Sequence, residues 1–351
     1  MIAFTRARGA RLGVLIAISC IGLAAASMAG CGSSSNTTGS SSGGKKTSST
    51  PSGTASVAYA SSLQFLNEKV AGPAFTSAAT FKYSGQGASS GELESDIASG
   101  EIHPNVFESV GSDNITPLEP KFTKWYVQYA GTQMVVAYNP KGKYASQFKA
   151  IADGKKPIKD LFTLLQTPGL KLGRTDPNID PQGRDFIFML ELAQKQYHLP
   201  ADTVTKILGG APASPSSSEI FAESSLDSTL ESGQLDAASA FITQAIELHL
   251  SYIKLPPAIN LGDFADADQY AKATLTISPP GGPKALKNGS PQVIDITIVG
   301  KPTPAGIAFV AYTLSQQGLA QYKTGGFTLL KPTLTGPSSA VPSQIRSELG
   351  G

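Results

Sequence analysis

Short apolar runs alternate with amphipathic stretches along most of this chain, and that alternation predicts its elements. Residues 56–60 (Ser-Val-Ala-Tyr-Ala) read as a first strand that ends at Ser61-Ser62, before a helical stretch at 63–70. A second strand at 80–83 leads into a small-residue loop at 84–91 and then a helix over 92–98. Residues 106–110 form a short buried strand with Asp113 just beyond, and 125–138 hold one or two more strands. After Asn139-Pro140 the pattern restarts: helices at 144–152 and 158–166, a strand at 170–173 and a long helix from Phe186. A loop at 211–218 and a helix at 224–232 follow, then helical periodicity at 237–248 and a strand at 252–255. Strands at 274–278 and 293–299 flank a Gly/Pro/Asn loop at 279–291; a helix at 305–317 precedes a loosely ordered tail at 336–351. Strands alternating with helices place the chain in the α/β class, with parallel sheets. There is no internal repeat.

The N-terminus does not fit that pattern. Arg6, Arg8 and Arg11 precede an apolar run at 14–26 that is short for a bilayer span. Ser27-Met28-Ala29-Gly30-Cys31 then reads as a lipobox, in which Cys31 is lipidated and becomes the mature N-terminus; an ordinary signal peptide cut near Gly30 is the plainer alternative. Cys20 lies in the discarded leader, so the mature chain keeps one cysteine and no internal disulfide. The Ser/Gly/Thr-rich stretch at 31–56 cannot bury enough apolar surface to fold, and is expected to be a flexible tether. Formal charge is +2, from 28 Lys and Arg against 26 Asp and Glu, and losing the leader's arginines makes it slightly negative. Nothing in that balance points to nucleic acid. Roughly 290 residues follow the tether, enough for two lobes.

In open α/β sheets, ligands sit outside the carboxyl ends of strands, where loops enter helices. Three such loops carry short polar pairs: Ser61-Ser62, Ser89-Ser90 and Thr175-Asp176. Hydroxyls and free helix-terminal N–H groups can hold a desolvated oxyanion without a lysine or arginine. Each pair alone is an ordinary loop feature, and the recurrence at equivalent positions carries the reading. Asp176-x-Asn178-x-Asp180 begins like a calcium loop, but Pro181 stands where the turn glycine belongs and Ile187 where the bidentate Glu belongs. His103, His198 and His249 lack metal-ligand spacing, so no bare metal site and no cofactor is expected. Gly87-Ala88-Ser89-Ser90-Gly91 satisfies G-x-S-x-G, leaving a lipid-anchored hydrolase with Ser89 as nucleophile and His249 as base as one alternative. A noncatalytic surface lipoprotein is the other.

The segment Leu172-Gly173-Arg174-Thr175-Asp176-Pro177-Asn178-Ile179-Asp180-Pro181-Gln182-Gly183-Arg184 resembles the G-R-S-D-P-N-x-D-P-x-G-Y-R stretch of archaeal-type tungstate/molybdate-binding proteins, the solute receptors of ABC importers. Tyr59-Ala60-Ser61-Ser62-Leu63 is similar to that family's H-A-G-S-L, and Asn105-Val106-Phe107-Glu108-Ser109 to its D-V-F-A-S. Lys124-Trp125-Tyr126-Val127, Ser232-Gly233-Gln234-Leu235-Asp236 and Tyr252-Ile253-Lys254-Leu255-Pro256 continue the likeness in order, over about residues 57 to 345. The resemblance implies a two-lobed, type II periplasmic-binding-protein-like fold, with two parallel or mixed sheets joined by a two-strand hinge. It implies a first lobe at 57–138 with 275–335, a second at 139–270, and hinge strands near Ala137 and Ser278. It further implies an extracytoplasmic monomer tied to the membrane through Cys31, serving a permease and its ATPase, with no enzymatic activity. Carried over, Ser62 and Ser90 donate hydroxyls, and Asp176 is the carboxylate facing the metal centre of the oxyanion. The family's second carboxylate falls at Ala240 or Ile242, neither of which can coordinate.

Overall fold

A computed structural model describes residues 52–214 and 219–350; the leader, the lipobox at Cys31 and the Ser/Gly tether lie outside them. Among the described residues the twelve strands are β1 (Thr54–Ala60), β2 (Lys82–Ala88), β3 (Val106–Val110), β4 (Tyr126–Thr132), β5 (Met134–Tyr138), β6 (Leu172–Gly173), β7 (Ala237–Phe241), β8 (Ser251–Lys254), β9 (Thr274–Ile277), β10 (Ala285–Asn288), β11 (Gln292–Ile298) and β12 (Thr328–Thr335). They form a six-stranded sheet in the order β12-β4-β11-β3-β1-β2, a four-stranded sheet β6-β7-β5-β8, and the β9–β10 pair. In the larger sheet β1 is parallel to β2 and β3, whereas the β3–β11, β11–β4 and β4–β12 pairs are antiparallel. In the smaller sheet only β6–β7 is parallel. The fold is thus a two-lobed α/β architecture with one mixed sheet in each lobe.

Burial explains the central strands. β3, β5, β7 and β11 are buried along their whole length, as expected where helices cover both faces of a sheet. Phe75 and Phe309 meet edge-on at 5.2 Å under the larger sheet, on the Gly72–Ala78 and Pro304–Leu314 helices.

Several expected elements differ in the structure. Residues 84–88, read as loop, are most of β2 and pair in register with β1. Two glycines hid that strand from the sequence, and they have a packing reason: a Cβ at Gly87 would lie 2.7 Å from the Tyr59 ring. The stretch read as helical at 237–248 is β7 followed by a short helix, Ile242–Glu247. An alanine-rich buried run has no periodicity to separate strand from helix. The loop at 279–291 contains β10. The tail expected to be loosely ordered carries a helix, Ser343–Glu348, whose Ile345 is fully buried. The chain crosses between the sheets at Gln133, so β5, placed by sequence at the end of the first lobe, pairs with β7 and β8 in the smaller sheet.

Candidate functional site

β1 delivers Ser61 and Ser62 to a tight 3-10 turn, Ser61–Leu63, at its carboxyl end. β2 delivers Ser89 and Ser90 to the start of the Ser90–Ser99 helix. Ser62 and Ser90 are both buried. Ser89 is the N-cap: its hydroxyl accepts the Glu92 N–H at 3.3 Å. Ser90 Oγ accepts the Val110 N–H at 3.2 Å, tying the helix start to the end of β3. Among the described residues no hydrogen bond joins Ser89 to a histidine, so the structure gives this serine a capping role.

The third loop follows β6. Asp176 Oδ1 accepts both the backbone N–H of Asn178 at 2.9 Å and its side-chain amide at 2.7 Å, a closed Asx turn. Asn178 Oδ1 in turn accepts the Ser278 N–H at 2.8 Å, which fastens the loop to the segment after β9. Thr175 is buried beside Asp180, the N-cap of the Pro181–Gln196 helix. Arg174, which the sequence reading passed over, is fully buried, and the charges of Glu219 and Asp176 both act on it. A guanidinium in that place offsets the Asp176 charge.

The loops meet across the lobes. Ile179 O accepts the Gly91 N–H at 3.0 Å, and a Cβ on Gly91 would lie 2.4 Å from that oxygen. Arg184 and Lys287 both reach Asp113 Oδ2, at 3.4 and 2.7 Å. The Ser61–Leu63 turn packs against the Glu223–Glu231 helix, whose Glu223 is buried. Ser61, Ser62 and Glu223 line a cavity of about 600 Å³, of which Ser89, Ser90, Thr175 and Asp176 are not part. The structure therefore divides the three loops, with Ser61-Ser62 on an open cavity and the other two joined through Gly91 and Ile179 rather than through their polar pairs.

Glu223 is the residue that sequence reasoning missed. It opens the Glu223–Glu231 helix, and Gln182 and Gln244 both donate to its Oε1, at 3.1 and 2.9 Å. Burial, with Asp180 and Asp227 nearby, pushes its carboxyl well above the ordinary range. Asp180 is likewise pushed up to about 6, chiefly by burial. One signal was available: an acid at the first position of a helix whose dipole favours negative charge. Ala240 and Ile242 lie in and just beyond β7, and Ser239, beside Ala240, donates to Gln182 at 2.9 Å.

Comparison with known proteins follows the fold. The model for bacterial extracellular solute-binding proteins matches residues 55–328. A solute-binding protein of Petrotoga mobilis is 28% identical over 249 residues, 69% of this chain and 74% of that one. The molybdate/tungstate-binding protein WtpA of Thermococcus kodakarensis is 29% identical over 247 residues, 65% of this chain and 66% of its own length. The periplasmic molybdate-binding protein of Azotobacter vinelandii superposes with a TM-score of 0.53 at 18% identity, covering 78% of this chain and 99% of that structure.

Proposed function

The chain belongs to the bacterial extracellular solute-binding protein family, and we propose that within it this protein captures a tetrahedral oxyanion, molybdate or tungstate first, between its lobes. The observation that carries this reading is the meeting of the helix start at Ser90 with the loop that bears Asp176, through the Gly91 N–H and Ile179 O, while Ser62 opens onto a cavity it shares with Glu223. The name borne by the Thermococcus relative supports the same ligand class. Neutral hydroxyl and backbone donors select an anion by size and protonation state, because each polar group buried without a partner costs about 1–3 kcal/mol. Asp176 adds a preference: a carboxylate is tolerated beside a dianion when it meets a central metal that expands its coordination, which sulfur in sulfate cannot do.

Calorimetry of the purified protein against molybdate, tungstate, sulfate and phosphate tests this reading, repeated with Ser62→Ala and Asp176→Ala. We expect molybdate and tungstate to bind more tightly than sulfate, and both variants to weaken them. Tight sulfate binding indifferent to Asp176 overturns the metal-oxyanion assignment, and silence with all four anions overturns the oxyanion class. The reading extends to lipid anchorage at Cys31, a monomeric receptor on the extracytoplasmic face, and delivery to an ABC permease and its ATPase. Cys31→Ala is expected to release the protein from the membrane fraction or leave its leader uncut; unchanged mass and fractionation count against the anchor.

A further inference from the structure

The Ser62 turn shares its cavity with a buried carboxyl, that of Glu223. Glu223 is held on the opposite lobe by a fixed set of amides: Gln182 Nε2 and Gln244 Nε2 donate to its Oε1. Those amides are themselves pinned, Gln182 Nε2 to Gln244 Oε1 at 2.6 Å, Ser239 Oγ to Gln182 Oε1 at 2.9 Å, and the Phe241 N–H to Gln244 Oε1 at 3.0 Å. A carboxyl so fixed cannot swing away cheaply, and it stays in the wall of the cavity it shares with Ser62.

The surroundings make this position acidic. Asp180 and Asp227 act on Glu223 from the Pro181–Gln196 helix cap and from its own helix. The wall of the cavity it shares with Ser62 adds Glu68, Glu231 and Glu247, with Lys69 as the one base among the described residues of that wall. A dianion entering beside an ionised Glu223 meets like charge in a desolvated place, whereas a protonated carboxyl there is a donor.

We propose that Glu223 couples anion capture to a proton: the oxyanion enters the cavity beside Ser62, and Glu223 takes one proton from solvent and turns from acceptor into donor toward the anion. This rests on the oxyanion reading above and names the residue that tunes it. Burial, Asp180 and Asp227 already favour the neutral form, opposed by the Gln244 amide. A neighbouring dianion acts in the same direction. Binding therefore takes up protons and weakens as pH rises.

The test is calorimetry of molybdate with the purified protein and with Glu223→Gln, at about pH 6 and about pH 9 and in two buffers of different ionisation heat. For the unaltered protein we expect net proton uptake approaching one per anion, and affinity falling by up to about tenfold per pH unit across the titration. Glu223→Gln keeps a neutral donor of the same shape, so it is expected to bind at both pH values with a flattened profile and no such uptake. Equal slopes and equal proton counts in the two proteins overturn the inference and assign any coupling to Asp180 or the cavity carboxylates. Absence of uptake in the unaltered protein overturns it without recourse to the variant. If neither protein binds molybdate, tungstate, sulfate or phosphate, the oxyanion reading fails and the inference falls with it, an outcome distinct from binding without proton linkage.

Discussion

Glu108 shows how one residue can change what a lobe's interior requires. Its position corresponds to an alanine in the D-V-F-A-S stretch that this segment resembles, yet Glu108 is fully buried in β3. Tyr129 and Tyr322 donate their hydroxyls to it, and Asn67 adds an amide at 2.9 Å. Burial raises its carboxyl above the ordinary range, against the pull of those three donors. The tyrosines also pack edge-on, with ring centroids 5.0 Å apart, so polar and apolar contacts coincide. Tyr322→Phe keeps the ring and removes one donor, and is expected to cost about 1–3 kcal/mol in denaturant unfolding, because the buried acceptor loses a partner. An unchanged midpoint would show that Glu108 does not depend on that donor.

At the scale of elements, Gly91 governs how the Ser90–Ser99 helix meets the loop after β6. The chain allows its amide to come within 3.0 Å of Ile179 O only because no side chain intervenes. Gly91→Ala is therefore expected to leave the helix intact, since alanine favours it, while forcing the loop away. The expected result is an unchanged or raised melting temperature with weakened anion binding and a larger ligand-free radius by solution scattering; unaltered affinity would count against closure at this contact. The C-terminal helix behaves oppositely. Ile345 seals the outer side of the Pro304–Leu314 helix, and Ile345→Ala is expected to cost about 2–5 kcal/mol by calorimetric unfolding. Strands such as β3 and β11 were legible in sequence because β-branched and aromatic runs leave no other reading. β2 was not, because its glycines answer to a tyrosine ring from a neighbouring strand, a tertiary demand with no local trace. The serine turns were legible as candidates from their place after strands. Glu223 was not, because its role depends on Gln182, Gln244 and Ser62, which are distant in sequence and meet only on folding.

For the whole molecule, the distribution of buried acids sets how stability follows pH. Burial pushes Asp180 and Asp227 up to about 6, and Glu247 and Asp295 up to about 8. Both carboxylate oxygens of Glu247, and both of Asp295, are buried without a hydrogen-bond partner among the described residues. The folded chain keeps these protons at pH values where the unfolded chain has released them. It therefore binds more protons than the unfolded state above the ordinary carboxylate range, and stability declines with rising pH. Their contribution is fully present below about pH 4 and is lost as pH climbs through 6 to about 8. Asp113 works the other way: against burial, Arg184 and Lys287 hold it below its usual value, so the latch it forms is lost only in acid. Among the buried acids of the described residues the raised groups outnumber the lowered ones, which places the optimum on the acid side of neutrality. Scanning calorimetry of the ligand-free protein is expected to give a higher melting temperature near about pH 5 than near about pH 8.5, with Asp295→Asn and Glu247→Gln together reducing the difference. A melting temperature that rises steadily from pH 5 to 8.5 would mean that these carboxylates find partners in the folded protein that keep them ionised.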